Sequence, residues 1–151
     1  MIRKYLLFIV ITIASVTAKA QSPSLAVSQI LDGKIVPLER MVVTKVRGRT
    51  LSQYKLSYYR SARFEASPTE MQRCFNAVKT DNTKANGNSM TKQNKGKGKL
   101  SLTFILHPNG KTNRFVSYLH EKQDKNRYRI TLIYMEGSVS GLEELEKLID
   151  K

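Results

Sequence analysis

Cysteine is nearly missing from this sequence: Cys74 is the only one in 151 residues. A lone cysteine excludes an intramolecular disulfide and any Cys-x-x-Cys redox or metal motif, so stability has to come from a packed core. Histidine is almost as scarce, with only His107 and His120. If Pro108-Asn109-Gly110 is a hairpin turn, His120 lies opposite about Gly98, and the two imidazoles stand roughly 25–30 Å apart at strand spacing. They cannot share a metal or a proton, and each reads as a solvated residue near a strand end. Acids are few, 12 Asp+Glu against 26 Lys+Arg, and no close carboxylate couple or Ser-His-Asp arrangement is visible. Lys95-Gly96-Lys97-Gly98-Lys99 has neither the G-x-x-x-x-G-K spacing of a phosphate loop nor a helix after it. No catalytic residue, metal site or cofactor is expected on these grounds. Triads assemble in space, however, so an enzyme is disfavoured rather than closed off.

A long hydrophobic run is also lacking. Tyr5–Thr17 is uncharged and rich in Leu, Ile, Val and Phe, yet it is shorter than the roughly 20 residues that an uncut spanning helix needs. Arg3 and Lys4 precede it and Ala18-Lys19-Ala20 follows. A charged start, an apolar middle and a small-x-small end are the three parts of a secretory signal peptide, which places cleavage after Ala20 and the mature start at Gln21. No cysteine follows the run to carry a lipid anchor, and no transmembrane segment is expected after cleavage. Removing Arg3, Lys4 and Lys19 takes the formal charge from +14 to +11. About 130 residues remain, enough for one domain with one core, at the periplasm, cell surface or exterior.

Ser67-Pro68-Thr69-Glu70 reads as a capping box with proline at the first helical position, and Met71, Cys74, Phe75 and Val78 follow at helical spacing. Cys74 therefore belongs to a buried stripe. Ser140-Gly141-Leu142-Glu143 reads as a second box, opening a helix with Leu142, Leu145, Leu148 and Ile149 on its apolar face. A shorter helix is expected over Ser24–Leu31, ended by Asp32-Gly33. Alternation over Leu100–His107, the turn at 108–110, Phe115–His120 and Tyr128–Met135 predict a three-strand antiparallel meander. Met41–Val46 reads as a further strand, and Tyr54–Phe64 as extended with a ragged pattern. The expected fold is α+β, an antiparallel sheet of four to five strands with two or three helices packed against it.

Residues 79–99 carry Lys79, Lys84, Lys92, Lys95, Lys97 and Lys99 against Asp81, a charge of +5, amid Asn, Thr, Gly and Ser. Ordering costs about 1–2 kcal/mol per residue in backbone entropy, and the apolar surface there is small, so the span is expected to be a flexible loop. Lys84, Lys92, Lys95, Lys97 and Lys99 are its candidate anion contacts. Upstream, Arg47, Arg49, Arg60 and Arg63 interleave with Tyr54, Tyr58 and Tyr59. That mix can stack on single-stranded nucleic acid. It equally describes a sheet with arginines on its wet side, the reading preferred here, so nucleic acid is not expected as a partner.

Ala18-Lys19-Ala20-Gln21, Leu56-Ser57-Tyr58-Tyr59-Arg60-Ser61, the capped central helix, and Tyr134-Met135-Glu136-Gly137 running into Leu142-Glu143-Glu144-Leu145 together resemble small exported Bacteroidota proteins of unknown function. The likeness is one of element order over residues 24–149; the lysine-rich insertion departs from it. It implies export and an α+β domain and supplies no catalytic residue. The function expected is a non-catalytic periplasmic or cell-surface interaction domain, its partner an anionic envelope component or another envelope protein. The alternative is a hydrolase of cell-envelope polymers, which would need a cleft with converging polar groups.

Overall fold

The structure, a computed structural model, describes residues 25–85 and 89–149. The leader expected at residues 1–20 and its expected cleavage point lie outside the described residues. In chain order the elements are α1 (Ser28–Leu31), β1 (Met41–Arg47), β2 (Leu56–Ala66), α2 (Pro68–Thr83), β3 (Ser89–Asn94), β4 (Lys99–Asn109), β5 (Thr112–Asp124), β6 (Arg127–Gly137) and α3 (Leu142–Ile149). Short 3-10 turns occupy Leu38–Arg40, Arg49–Tyr54 and Lys95–Lys97. The strands form one antiparallel sheet in the order β1-β2-β6-β5-β4-β3.

Among the described residues six strands replace the four or five expected. The difference lies mainly in the lysine-rich span, which is not one flexible loop. Lys79–Thr83 completes α2, Ser89–Asn94 is β3, Lys95–Lys97 is a 3-10 turn, and Lys99 opens β4. A segment with little apolar surface of its own can still order by joining an existing ladder, which satisfies its backbone groups. Here β3 pairs with β4 from Ser89↔Phe104 to Asn94↔Lys99, and Met90 packs onto a hydrophobic cluster. The pattern of β2 looked ragged because the strand runs between β1 and β6, where both faces are partly covered. The tight hairpin turn also moves. Asn109 pairs with Thr112 across Gly110-Lys111, Gly110 has φ +65°, and an irregularity after Leu106 absorbs Pro108.

Each sheet face has its own cover. One face and α1–α2 enclose Phe104, Leu106, Val116, Tyr118, Ile130 and Leu132 with Ala62 and Phe64. The other face packs Ile105, Phe115 and Met135 against Leu142 and Leu145 of α3 and Leu51 of the Arg49–Tyr54 turn. Burying side chains of this size stabilises by about 1.5–3 kcal/mol each, which decides the fold over the surface contacts. The α2 box forms as expected: Ser67 N–H donates to Glu70 at 2.9 Å, and Glu70 N–H donates to Ser67 Oγ at 3.1 Å. At α3 the helix begins one residue later than expected, with Leu145 N–H bonding the Gly141 carbonyl at 3.0 Å. Glu144, not Glu143, therefore reaches back to Ser140, and Lys55 Nζ bonds its other carboxylate oxygen at 2.6 Å. Leu148 is partly buried beside Leu142 and Leu145, while the Ile149 side chain lies outside the described residues. The first helix is shorter than expected, with Ser24 outside the described residues.

Candidate functional site

Among the five lysines singled out in the sequence, the structure gathers Lys92, Lys95, Lys97 and Lys99 on β3, the following turn and the start of β4. Lys84 is not with them; it caps the C-terminus of α2, before β3 carries the chain on. The turn is fixed by local chemistry. Asn94 Oδ1 accepts from Lys97 N–H at 3.3 Å, and Gly98 takes φ +60°. A side chain at Gly98 would bring its Cβ within 2.6 Å of Lys122 Cβ, so only glycine permits both the left-handed turn and the close approach. Lys122 N–H then donates to the Gly98 carbonyl at 3.0 Å.

That contact adds Lys122, which the sequence reading missed, to the group. Lys95, Lys97 and Lys122 are exposed and in no ion pair among the described residues. Lys92 and Lys99 are engaged, with Glu146 at 3.3 Å and Glu121 at 3.7 Å. Both are exposed pairs of little energetic weight, open to competition from another anion. The missed signal lay in hairpin pairing: once β4 and β5 are opposed, Lys122 falls beside the lysine-rich turn.

His120 corrects another expectation. It lies opposite Leu100 rather than Gly98, and it is buried rather than solvated. Tyr118 Oη lies 2.8 Å from its Nδ1, and the rings of Phe75, Tyr118 and Tyr128 meet it edge-on. Burial lowers its pKa from the ordinary 6.5, because the charged imidazolium loses its hydration. Cys74 is fully buried on the α2 face of the same core, and burial pushes its thiol up to about 12. A thiol held protonated and covered is a packing group rather than a nucleophile. His107 is exposed on β4, with its carbonyl accepting from Arg114.

The arginine and tyrosine group does not converge. Arg60 turns inward to the Leu31 carbonyl at 3.0 Å and Asp32 at 3.3 Å, whereas Arg63, three residues on, faces the other side of the sheet and is exposed. The Arg47 guanidinium lies 4.7 Å above the Tyr58 ring. These are contacts of a sheet rather than a stacking platform.

Two of the recesses among the described residues bring polar side chains together. One, about 180 Å³, is bordered by Tyr58, Arg60, Tyr134 and Glu136, with Tyr134 Oη donating to Glu136 at 2.6 Å. Burial and the neighbouring Glu136 carboxylate both raise the Tyr134 pKa, so its hydroxyl stays protonated and suits hydrogen bonding rather than proton removal near neutrality. The other, about 220 Å³, lies under α3 and includes Thr103 and Ser117, whose hydroxyls are 3.1 Å apart. Among the described residues no group of three or more His, Cys, Asp or Glu is placed to hold a metal, and no helix is long and apolar enough to cross a membrane.

Fold and surface together define a small antiparallel α+β domain with a cationic end. The chain belongs to the family of unknown function DUF6108, whose model matches residues 13–149. No curated protein and no solved structure matches it.

Proposed function

We propose that this chain is an exported, non-catalytic domain that binds an anionic component of the cell envelope through the lysine-bearing end of its sheet. The observation that carries the reading is the turn itself. Asn94 and Gly98 hold Lys95 and Lys97 beside Lys122, so like charges are kept together by backbone geometry. An anion laid across them would relieve that repulsion. Export is supported by the leader pattern of residues 1–20 and by the likeness to exported Bacteroidota proteins. Contacts of this kind are long-ranged at low salt and fade as the screening length falls toward roughly 8 Å at physiological ionic strength.

Retention on immobilised heparin, a model polyanion, tests this. Replacing Lys95, Lys97 and Lys122 with Ala should move elution to clearly lower salt. Replacing Lys34, Lys84 and Lys111 removes the same charge elsewhere and should move it less. Equal shifts would reduce the effect to net charge and overturn the assignment. In parallel, N-terminal sequencing of protein recovered from the periplasm or medium should begin at Gln21; a retained Met1 there refutes export by cleavage.

A further inference from the structure

Among the described residues, strand β1 has a neighbour on one side only. It stands at the end of the sheet order and pairs with β2 from Met41↔Phe64 to Arg47↔Tyr58 without a bulge. Its outer row of backbone donors and acceptors is an open template. The other edge is protected differently: β3 is polar, carries Lys92, and ends in the lysine turn. On β1 the first half is apolar, with Val42 70% and Val43 44% exposed. The second half is cationic. Lys45 lies directly across the ladder from Arg60, and Arg47 lies across from Tyr58. A like-charge cross-strand pair is unfavourable unless something intervenes. Arg60 is drawn toward Asp32, but among the described residues Lys45 and Arg47 have no acidic partner.

We propose that β1 accepts an extended segment of a partner protein as a further antiparallel strand. The segment places acidic residues opposite Lys45 and Arg47 and β-branched residues opposite Val42, Val43 and Val46. Main-chain hydrogen bonds supply the attachment, and the alternating side chains supply the selection. A second copy of this chain fits less well. A two-fold through Thr44 would oppose Val42 with Val46 but set Lys45 against Val43 and Arg47 against Met41, leaving every cation unmatched between two strongly basic chains.

A labelled peptide, Glu-Val-Glu-Thr-Val-Val-Val, is the probe, with Lys-Val-Lys-Thr-Val-Val-Val as its counterpart. The full chain should bind the acidic peptide about three- to tenfold more tightly, and the variant with Lys45→Glu and Arg47→Glu should invert that preference. N-methylation of alternate peptide residues along one edge should abolish binding, while methylation along the other edge leaves it intact. Charge attraction without strand pairing would treat both methylated peptides alike and would overturn the proposal. So would a dimer in sedimentation that Val42→Lys dissociates, since the occupant would then be a second copy. The Lys95, Lys97 and Lys122 variant should bind the peptide unchanged, so this edge and the lysine end fail or stand separately.

Discussion

The two faces of the sheet solve the same problem with different means. Under α2 the charged group set into the core is fully satisfied by backbone donors. Asp81, wholly buried at the end of α2, accepts from the backbone N–H groups of Ala26 and Val27 at 2.9 and 2.8 Å. Under α3, hydroxyls of Ser101, Thr103 and Ser117 line a recess, and the helix is tied at its flanks by the exposed pairs Lys55–Glu144 and Lys92–Glu146. Water competes for the second set of contacts and not for the first. The first face should therefore carry most of the stability, and the second should be the side that opens.

The sharpest way to break that comparison is to delete one buried side chain from each face. Phe104→Ala should cost about 3–5 kcal/mol in chemical denaturation, because Phe104 is wholly buried away from either recess and its surroundings relax little around the void. Leu145→Ala should cost nearer about 2 kcal/mol, because α3 can settle into the adjoining recess. Equal costs would mean that the two covers are equally rigid.

A smaller effect isolates the buried carboxylate. Asp81→Asn keeps the shape but offers one acceptor to two backbone donors, leaving an N–H unpaired in the core. The expected cost is about 1–3 kcal/mol, the penalty for one such orphan. Hydrogen exchange at Ala26 and Val27 should quicken beyond the rest of the domain, because Asp81 pins the segment leading into α1. Unchanged exchange there would show that packing of Val27 and Ile30 holds the segment without it.

How much of this was legible in the sequence follows the range of the forces involved. Ser67 and Glu70 act within one helical turn, and their box appears as expected. The α3 start slipped by one residue because Lys55, distant in sequence, draws on Glu144. Asp81 looked like a lone acid in a lysine-rich span; its partners are 54 and 55 positions away. The candidate lysines were visible in composition, but whether they cluster depended on β3 finding β4 and on Gly98 meeting Lys122. His120 was misread as solvated because alternation gives its face and not the helix that covers it. Phe75, on α2, supplies that cover.

The faintest effect, and the one that reads both faces in a single titration, is the response to acid. His120 has a folded pKa below its ordinary 6.5 because of burial. Above that pH both states are neutral and nothing changes. Below it the unfolded chain takes up a proton first, so stability declines until the pH passes the lower folded value. His120→Gln can still accept from Tyr118 and should remove that decline, measured as the denaturation midpoint between pH 7 and about 5. Glu144 acts in a lower window: the Lys55 ammonium and Ser140 hold its pKa at about 2 against an ordinary 4.5. Its contribution is complete above 4.5 and is lost as the pH falls toward about 2. Glu70, whose pKa Arg40 lowers, also loses its contribution on the first face at some pH below its ordinary 4.5, so global unfolding cannot separate the two. Amide exchange can: Leu145 should lose protection in the lower window before Val78 of α2 does, and Glu144→Gln should abolish that lead. If Val78 opens first, or if α3 already loosens above pH 5, the division of labour between the faces is wrong.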